Sequence, residues 1–276
     1  MPGGAQAIGS IQDAALACLL AADPQAKLAA TAEQARAWRA GALADAGDRL
    51  PPPERLPLPG RPARPRLVPP RQLPQRSLGS RDGLAALIHA VAHIEFNAID
   101  LAWDAVYRFR AMPRAFYDDW VGVAVDEARH FALLAGRLAA HGHAYGDFDA
   151  HNGLWEMALR TDQDCLARMA LVPRVLEARG LDVTPAMIER VRAAGDPDTA
   201  GVLALILREE VAHVAAGSRW LRWLCERQGR DPEATFTELL GQQAPGVLRR
   251  PFNRPAREQA GFSAGELDAL EALTAP

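Results

Sequence analysis

Asp126-Glu127-Ala128-Arg129-His130 and Glu209-Glu210-Val211-Ala212-His213 both contain the spacing Glu-x-x-His, and a further glutamate precedes each: Glu95 lies 32 residues before Glu127, and Glu177 lies 33 before Glu210. On a helix, residues three apart share a face, so each motif aims a carboxylate and an imidazole at one point from successive turns. Four carboxylates and two imidazoles in two such halves are the ligand complement of a metal pair inside a four-helix bundle. With 7 histidines, and glutamate at about one position in eighteen, chance supplies about 0.4 such motif, so two with matching upstream glutamates call for a chemical reason.

Working outward, the neighbours of these residues at helical spacing are apolar. Glu95 shares its face with Ile88, Val91, Ala98, Ile99 and Ala102; Glu127 with Trp120, Val123, Ala124, Phe131 and Leu134; Glu210 with Leu203, Ile206, Leu207, Val214 and Gly217. A carboxylate buried alone costs several kcal/mol or gives up its charge, and a divalent cation removes that cost. Glu177 fits less cleanly, because its face holds Ala170 and Leu181 but also Pro173 and Arg174. The geometry assigns Glu127 and Glu210 as bridging carboxylates, His130 and His213 as terminal nitrogens, and Glu95 and Glu177 as terminal carboxylates. Mixed carboxylate and imidazole ligation suits two iron ions, with manganese admissible at one or both positions; structural zinc would usually recruit cysteine. Asp126 and Glu209 each precede a ligand histidine by four residues, and they either orient its second nitrogen or pair with Arg129 and Arg208 at the surface. His89 and His93 fall off the Glu95 face and form a polar seam with Asn97, Asp100 and Asp104. His141, His143 and His151 read as solvated loop.

A chain of 276 residues with 49% hydrophobic content supports a substantial core. Its net charge of −3 offers no basic field for nucleic acid. Three widely spaced cysteines, Cys18, Cys165 and Cys225, form neither a disulfide framework nor a C-x-x-C site, so a reducing cytoplasm is expected. Ala14–Ala22 has the apolarity of a signal-peptide core, but Asp13 precedes it and no Lys or Arg occurs before Lys27, so it reads as a helix face. No run approaches the roughly 20 apolar residues of a membrane span, and no membrane partner is expected.

The expected fold is all-α. Residues 1–50 form an N-terminal helical segment, with two short helices meeting at Asp23-Pro24. Residues 51–79 form a proline-rich strap, where Leu56, Leu58, Leu67 and Val68 favour a path along a surface over a free linker. Residues 80–228 form the bundle, its helices near 82–110, 113–141, 152–180 and 198–228, with Ser80 or Asp82 capping the first, Pro113 opening the second, and Gly142 and Gly180 closing the second and third. A shorter piece, about Pro185–Ala194, joins the third and fourth. Residues 229–276 form a C-terminal extension packed on the bundle, with helices near Pro232–Leu240 and Ala264–Leu273 and an irregular stretch between.

These residues resemble the ferritin-like di-iron carboxylate proteins; Asp126-Glu127-Ala128-Arg129-His130 is similar to the D-E-x-R-H phrase of oxygen-activating members. The longer wording, HIEFNAIDLAWDA from His93, DEARHF from Asp126, LEARGLD from Leu176, GRPARPRLVPP from Gly60 and PFNRPAREQAGF from Pro251, is similar to an uncharacterised bacterial ferritin-like family, domain of unknown function 455. The resemblance runs from about Gly60 to Phe262 and strengthens Glu177 as the third-helix ligand. It implies a di-iron or iron–manganese protein that uses O₂ as an oxidase or hydroxylase on an organic substrate, small or macromolecular, with an electron donor. A ferroxidase or metal-handling protein, and a structural protein stabilised by metal, are the alternatives.

Overall fold

Ser10 and Asp23 open the first two helices, each accepting a hydrogen bond from the backbone amide three residues on: α1 (Ile11–Leu20) and α2 (Pro24–Arg39). The computed structural model of the chain describes residues 9–74, 80–244 and 246–274; the rest of the N-terminal segment, residues 75–79 of the strap, and residues 245 and 275–276 of the extension lie outside it. It is mostly helical, and its two-residue strands, β1 (Gly9–Ser10) and β2 (Leu43–Ala44), pair in parallel. The chain forms two compact units: the first holds the chain up to Leu73 with His89–Ala135 and Ala144–His151, the second Pro74–Ile88, Gly136–His143 and Asn152–Pro276.

In the first unit lie α1, α2 and most of α3 (Arg81–Arg108) and α4 (Arg114–Ala140). The strap is held by backbone bonds more than by its leucines. Gly60 N–H donates to the Leu19 carbonyl at 2.7 Å, and a Cβ on Gly60 would meet the Leu20 carbonyl oxygen at 2.3 Å, so only glycine fits there. Val68 N–H donates to the Ala150 carbonyl at 2.8 Å, and Arg61 donates to Asn97 Oδ1 at 3.1 Å. The expected anchor Leu58 is instead 47% exposed, whereas Pro59, Pro65 and Val68 are buried.

Helix α3 is, by length and composition, apolar enough over Asp82–Arg108 to cross a membrane, contrary to the expectation that no run comes close. It has, however, a polar face that is itself buried and bonded, as suits a core helix. His89 accepts from the Gly146 amide at 2.9 Å; His93 Nδ1 lies 2.8 Å from the Tyr145 hydroxyl; Asp100 pairs with Lys27; Asp104 pairs with Arg108. At its start Ser80, rather than Asp82, caps the helix, its Oγ accepting from Gly83 N–H at 3.0 Å.

The second unit contains α5 (Gly153–Arg160), α6 (Cys165–Leu171), a π-helical segment Val172–Glu177, α7 (Ala178–Ala193), α8 (Pro197–Arg227), α9 (Pro232–Gln243), α10 (Arg254–Gln259) and α11 (Ala264–Leu273). The expected third helix is therefore broken. Buried Arg168 joins two of its pieces, donating to the Ala158 carbonyl that ends α5 and to Thr161 Oγ1, both at 2.7 Å. Gly180 does not terminate it: α7 runs through Gly180 and Pro185 to Gly195, whose φ of 87° makes it the stop, so the expected separate piece at Pro185–Ala194 belongs to α7. Gly142, with φ 76°, does end α4. The stretch expected to be irregular between α9 and α11 contains α10.

Asp196 caps α8 and gathers three neighbours. It accepts from Thr199 N–H at 2.9 Å, from Arg137 Nη2 at 3.0 Å and from His141 Nε2 at 2.8 Å, so His141 is a bonded group and not a solvated loop residue. Burial alone would raise the Asp196 carboxyl, but Thr199, His141 and Arg137 together hold it down at about 2. Asp196→Ala is expected to cost about 1–2 kcal/mol in denaturant melts. Because the folded pKa is depressed, that contribution is complete above about pH 4 and fades as the pH falls toward 2. A cost independent of pH across that window would remove the carboxylate from the account.

Candidate metal centre

All six residues expected to ligate metal are buried, none more than 8% exposed. In the first unit, α3 supplies Glu95 and α4 supplies Glu127 and His130. His130 Nδ1 lies 3.1 Å from Glu95 Oε2 and 3.5 Å from Glu127 Oε2, and one ligand atom from each of the three falls within 4.8 Å of the others. The apolar stripes that carry them, including Ile88, Ala92, Ile99, Ala102, Ala124, Phe131 and Leu134, are buried, so the polar trio stands in a dry surrounding. Phe96 and Phe131, each next to a trio member in sequence, pack with ring centroids 5.1 Å apart, and Tyr145 lies against both rings at 5.2 and 5.0 Å.

Burial, then the charge of Glu127, push the Glu95 carboxyl up to about 8, with His130 pulling the other way. Burial disfavours the His130 imidazolium, but hydrogen bonds and charge from Glu127 and Glu95 outweigh it and raise the histidine well above its ordinary value. Without a cation Glu95 and His130 therefore retain protons. Two carboxylates and an imidazole that close and desolvated fit a divalent ion, which would displace the protons of Glu95 and His130 and supply positive charge in their place.

In the second unit, α8 supplies Glu210 and His213, with His213 Nδ1 3.4 Å from Glu210 Oε1. In both Glu-x-x-His motifs it is thus Nδ1 that faces the motif's own glutamate. Glu177 ends the π-helical segment and is buried. Its awkward helical face has a structural cause. Pro173 lacks the N–H of a regular turn, and an i→i+5 turn carries one residue more than an α turn, so counting at 100° per residue misplaces everything beyond it.

Asp126 Oδ1 takes a hydrogen bond from Arg129 Nη2 at 3.3 Å with both side chains about 41–42% exposed, which is the surface pairing. Glu209 is half-buried, while Arg208 donates to the Ala204 carbonyl at 3.0 Å. Sequence reasoning missed Arg174, whose guanidinium is buried within four positions of Glu177; only the oddity of an arginine on an apolar face marked it.

The pattern that describes the family "Protein of unknown function (DUF455)" matches residues 20–268. An uncharacterized protein of Haemophilus influenzae is 46% identical over 214 residues, covering 75% of this chain and 74% of its own length. No solved structure matches.

Proposed function

We propose that this chain, which belongs to the DUF455 family of proteins of unknown function, is a di-iron or iron–manganese carboxylate protein that uses O₂ to oxidise or hydroxylate an organic substrate. The observation that carries this is the trio Glu95, Glu127 and His130, drawn together in an apolar interior where a metal ion would offset the cost of so close a grouping. Glu177, Glu210 and His213 would provide the equivalent half of the ligand set. On this reading residues 80–228 are a ferritin-like four-helix bundle, 1–50 an N-terminal helical segment, 51–79 a proline-rich strap and 229–276 an extension packed on the bundle.

Bound iron would supply the redox equivalents and the O₂ chemistry. The protein's own contribution is to hold and to exclude. Glu95 and His130 would give up their protons to a bound cation, and the buried apolar stripes of α3 and α4, with the packed rings of Phe96, Phe131 and Tyr145, keep the surroundings dry. The three free cysteines accord with a cytoplasmic location, and an electron donor would restore the ferrous state.

Anaerobic loading with Fe(II), metal analysis, and absorbance after O₂ addition test the proposal. About two irons per chain and a transient visible absorbance, with no accumulating mineral, are expected. Turnover of many irons per chain would make iron itself the substrate. Trace binding, or binding unchanged in Glu127→Ala and His213→Ala, would remove the metal site altogether.

A further inference from the structure

We infer that the C-terminal segment serves the metal site as its clamp: Arg174, Glu266 and Gly217 hold the π-helical turn in the register that presents Glu177. This rests on the proposal that Glu177 ligates the second ion. A π turn is a rare insertion in a helix, frequent at functional sites, and here its surroundings are specific.

Arg174 lies in the middle of the turn and is fully buried. Its Nη2 donates to Glu266 Oε2 at 2.6 Å and its Nε to Ser218 Oγ at 3.1 Å. The guanidinium sits 4.2 Å from the ring centroids of both Phe236 and Phe262. The same Glu266 oxygen accepts from Ser263 N–H at 2.9 Å, closing the capping box of α11, so the start of that helix and the arginine of the π turn share one carboxylate. On the other side, Gly217 of α8 leaves room for the bulge: a Cβ there would meet Pro173 Cγ at 2.3 Å and Cβ at 2.6 Å.

A second set of bonds fixes the first turns of α7, directly after the π segment. Arg257 of α10 grips Asp182 of α7 with two hydrogen bonds, 2.9 and 2.7 Å, and both side chains are buried. Asn253 N–H donates to Asp182 Oδ1 at 2.8 Å, and Asn253 Nδ2 donates to the Leu181 carbonyl at 3.0 Å. Glu177 thus lies between two points, Arg174 and Asp182, that are both tied to residues 253–266. Arg174 ties the π turn to α8, α9 and the start of α11, with Glu177 at the end of that turn.

The test compares the full-length protein with Gly217→Ala, Glu266→Gln and Glu177→Gln, using equilibrium dialysis against Mn(II) and anaerobic Fe(II), and melts of each metal-free protein. The wild type should bind two ions. Glu177→Gln should lose the second, and Glu266→Gln and Gly217→Ala should weaken the second about tenfold or more while leaving the first unchanged. Glu266→Gln keeps the side chain's size and an acceptor for Arg174, so it decides the matter if Gly217→Ala fails to fold. Second-ion affinity equal to wild type in Glu266→Gln, or equal weakening of both ions, would overturn the clamp while leaving the metal centre intact. A wild type that binds no metal, or a Glu177→Gln protein that still binds two ions normally, would instead overturn the ligand assignment.

Discussion

Replacing Lys27 with methionine is expected to cost roughly 3–5 kcal/mol, a drop of about 10 °C or more in melting midpoint. Lys27 is the only lysine in a chain whose other cationic side chains are all arginine, and it is 0% exposed. Its ammonium uses all three donors: the Cys18 and Leu19 carbonyls at 3.1 and 3.3 Å, and the Asp100 carboxylate. Those carbonyls belong to the last turn of α1, where they also accept from the Ala21 and Gly60 amides and where a positive charge meets the negative end of the dipole. One side chain therefore ends α1 and joins it to the buried face of α3. A planar guanidinium cannot reproduce three tetrahedral donors in that space, so Lys27→Arg should recover little.

The pH dependence of that cost comes from Asp100. Burial pushes its carboxyl up to about 6 even though Lys27 pulls it down. An acid whose folded pKa is raised contributes stability that is full below its unfolded value and lost as the pH rises through the folded one. Removing Lys27 raises the folded pKa further, so the variant's deficit should be smaller at pH 5 than at pH 8. Asp100→Asn added to Lys27→Met should restore part of the loss by replacing the orphaned carboxylate with an amide. A deficit under about 1 kcal/mol, or one equal at both pH values, would contradict a buried ion pair.

The elements that the chain announces in its own sequence are those with local causes. Asp23-Pro24 and Gly142 are local signals that mark boundaries where they were expected, and α11 begins at the expected Ala264, behind a capping box of Ser263 and Glu266. The trio Glu95, Glu127 and His130 was legible for the same reason, since helical period alone puts each on a buried face. What the sequence hid is what distant residues decide. Gly180 carries a stop signal that the packing of α7 along α8 overrides, and Pro173 widens a turn only because Gly217, 44 positions on, makes room. The strings that carry the family resemblance gain a physical meaning from these bonds. LEARGLD and PFNRPAREQAGF meet as Asp182 with Arg257 and Asn253, and GRPARPRLVPP meets HIEFNAIDLAWDA as Arg61 with Asn97.

Glu127→Gln should remove metal binding and, in the metal-free protein, stabilise the fold. The two effects have one origin. Burial and the neighbouring Glu127 charge raise the Glu95 carboxyl to about 8, so its contribution is full below the ordinary carboxylate range and is lost as the pH climbs through 8. Replacing Glu127 by the neutral amide removes the repulsion, and the metal-free variant should lose less stability than wild type between pH 6 and 9, by about 1–3 kcal/mol. Metal acts oppositely. A divalent ion that binds only the folded chain adds about 4 kcal/mol at a thousandfold excess over its dissociation constant, and it must expel the protons that Glu95 and His130 retain. Wild-type affinity should therefore strengthen from pH 6 to pH 8, and calorimetry in two buffers of different ionisation enthalpy should register proton release. In Glu127→Gln the metal-dependent rise in melting temperature should vanish, because the amide cannot supply an anionic bridge and the remaining Glu95 and His130 can satisfy each other as an ion pair. A variant that is no more stable than wild type without metal at pH 8, yet keeps its metal response, would mean that the three side chains are a hydrogen-bonded core and not a site.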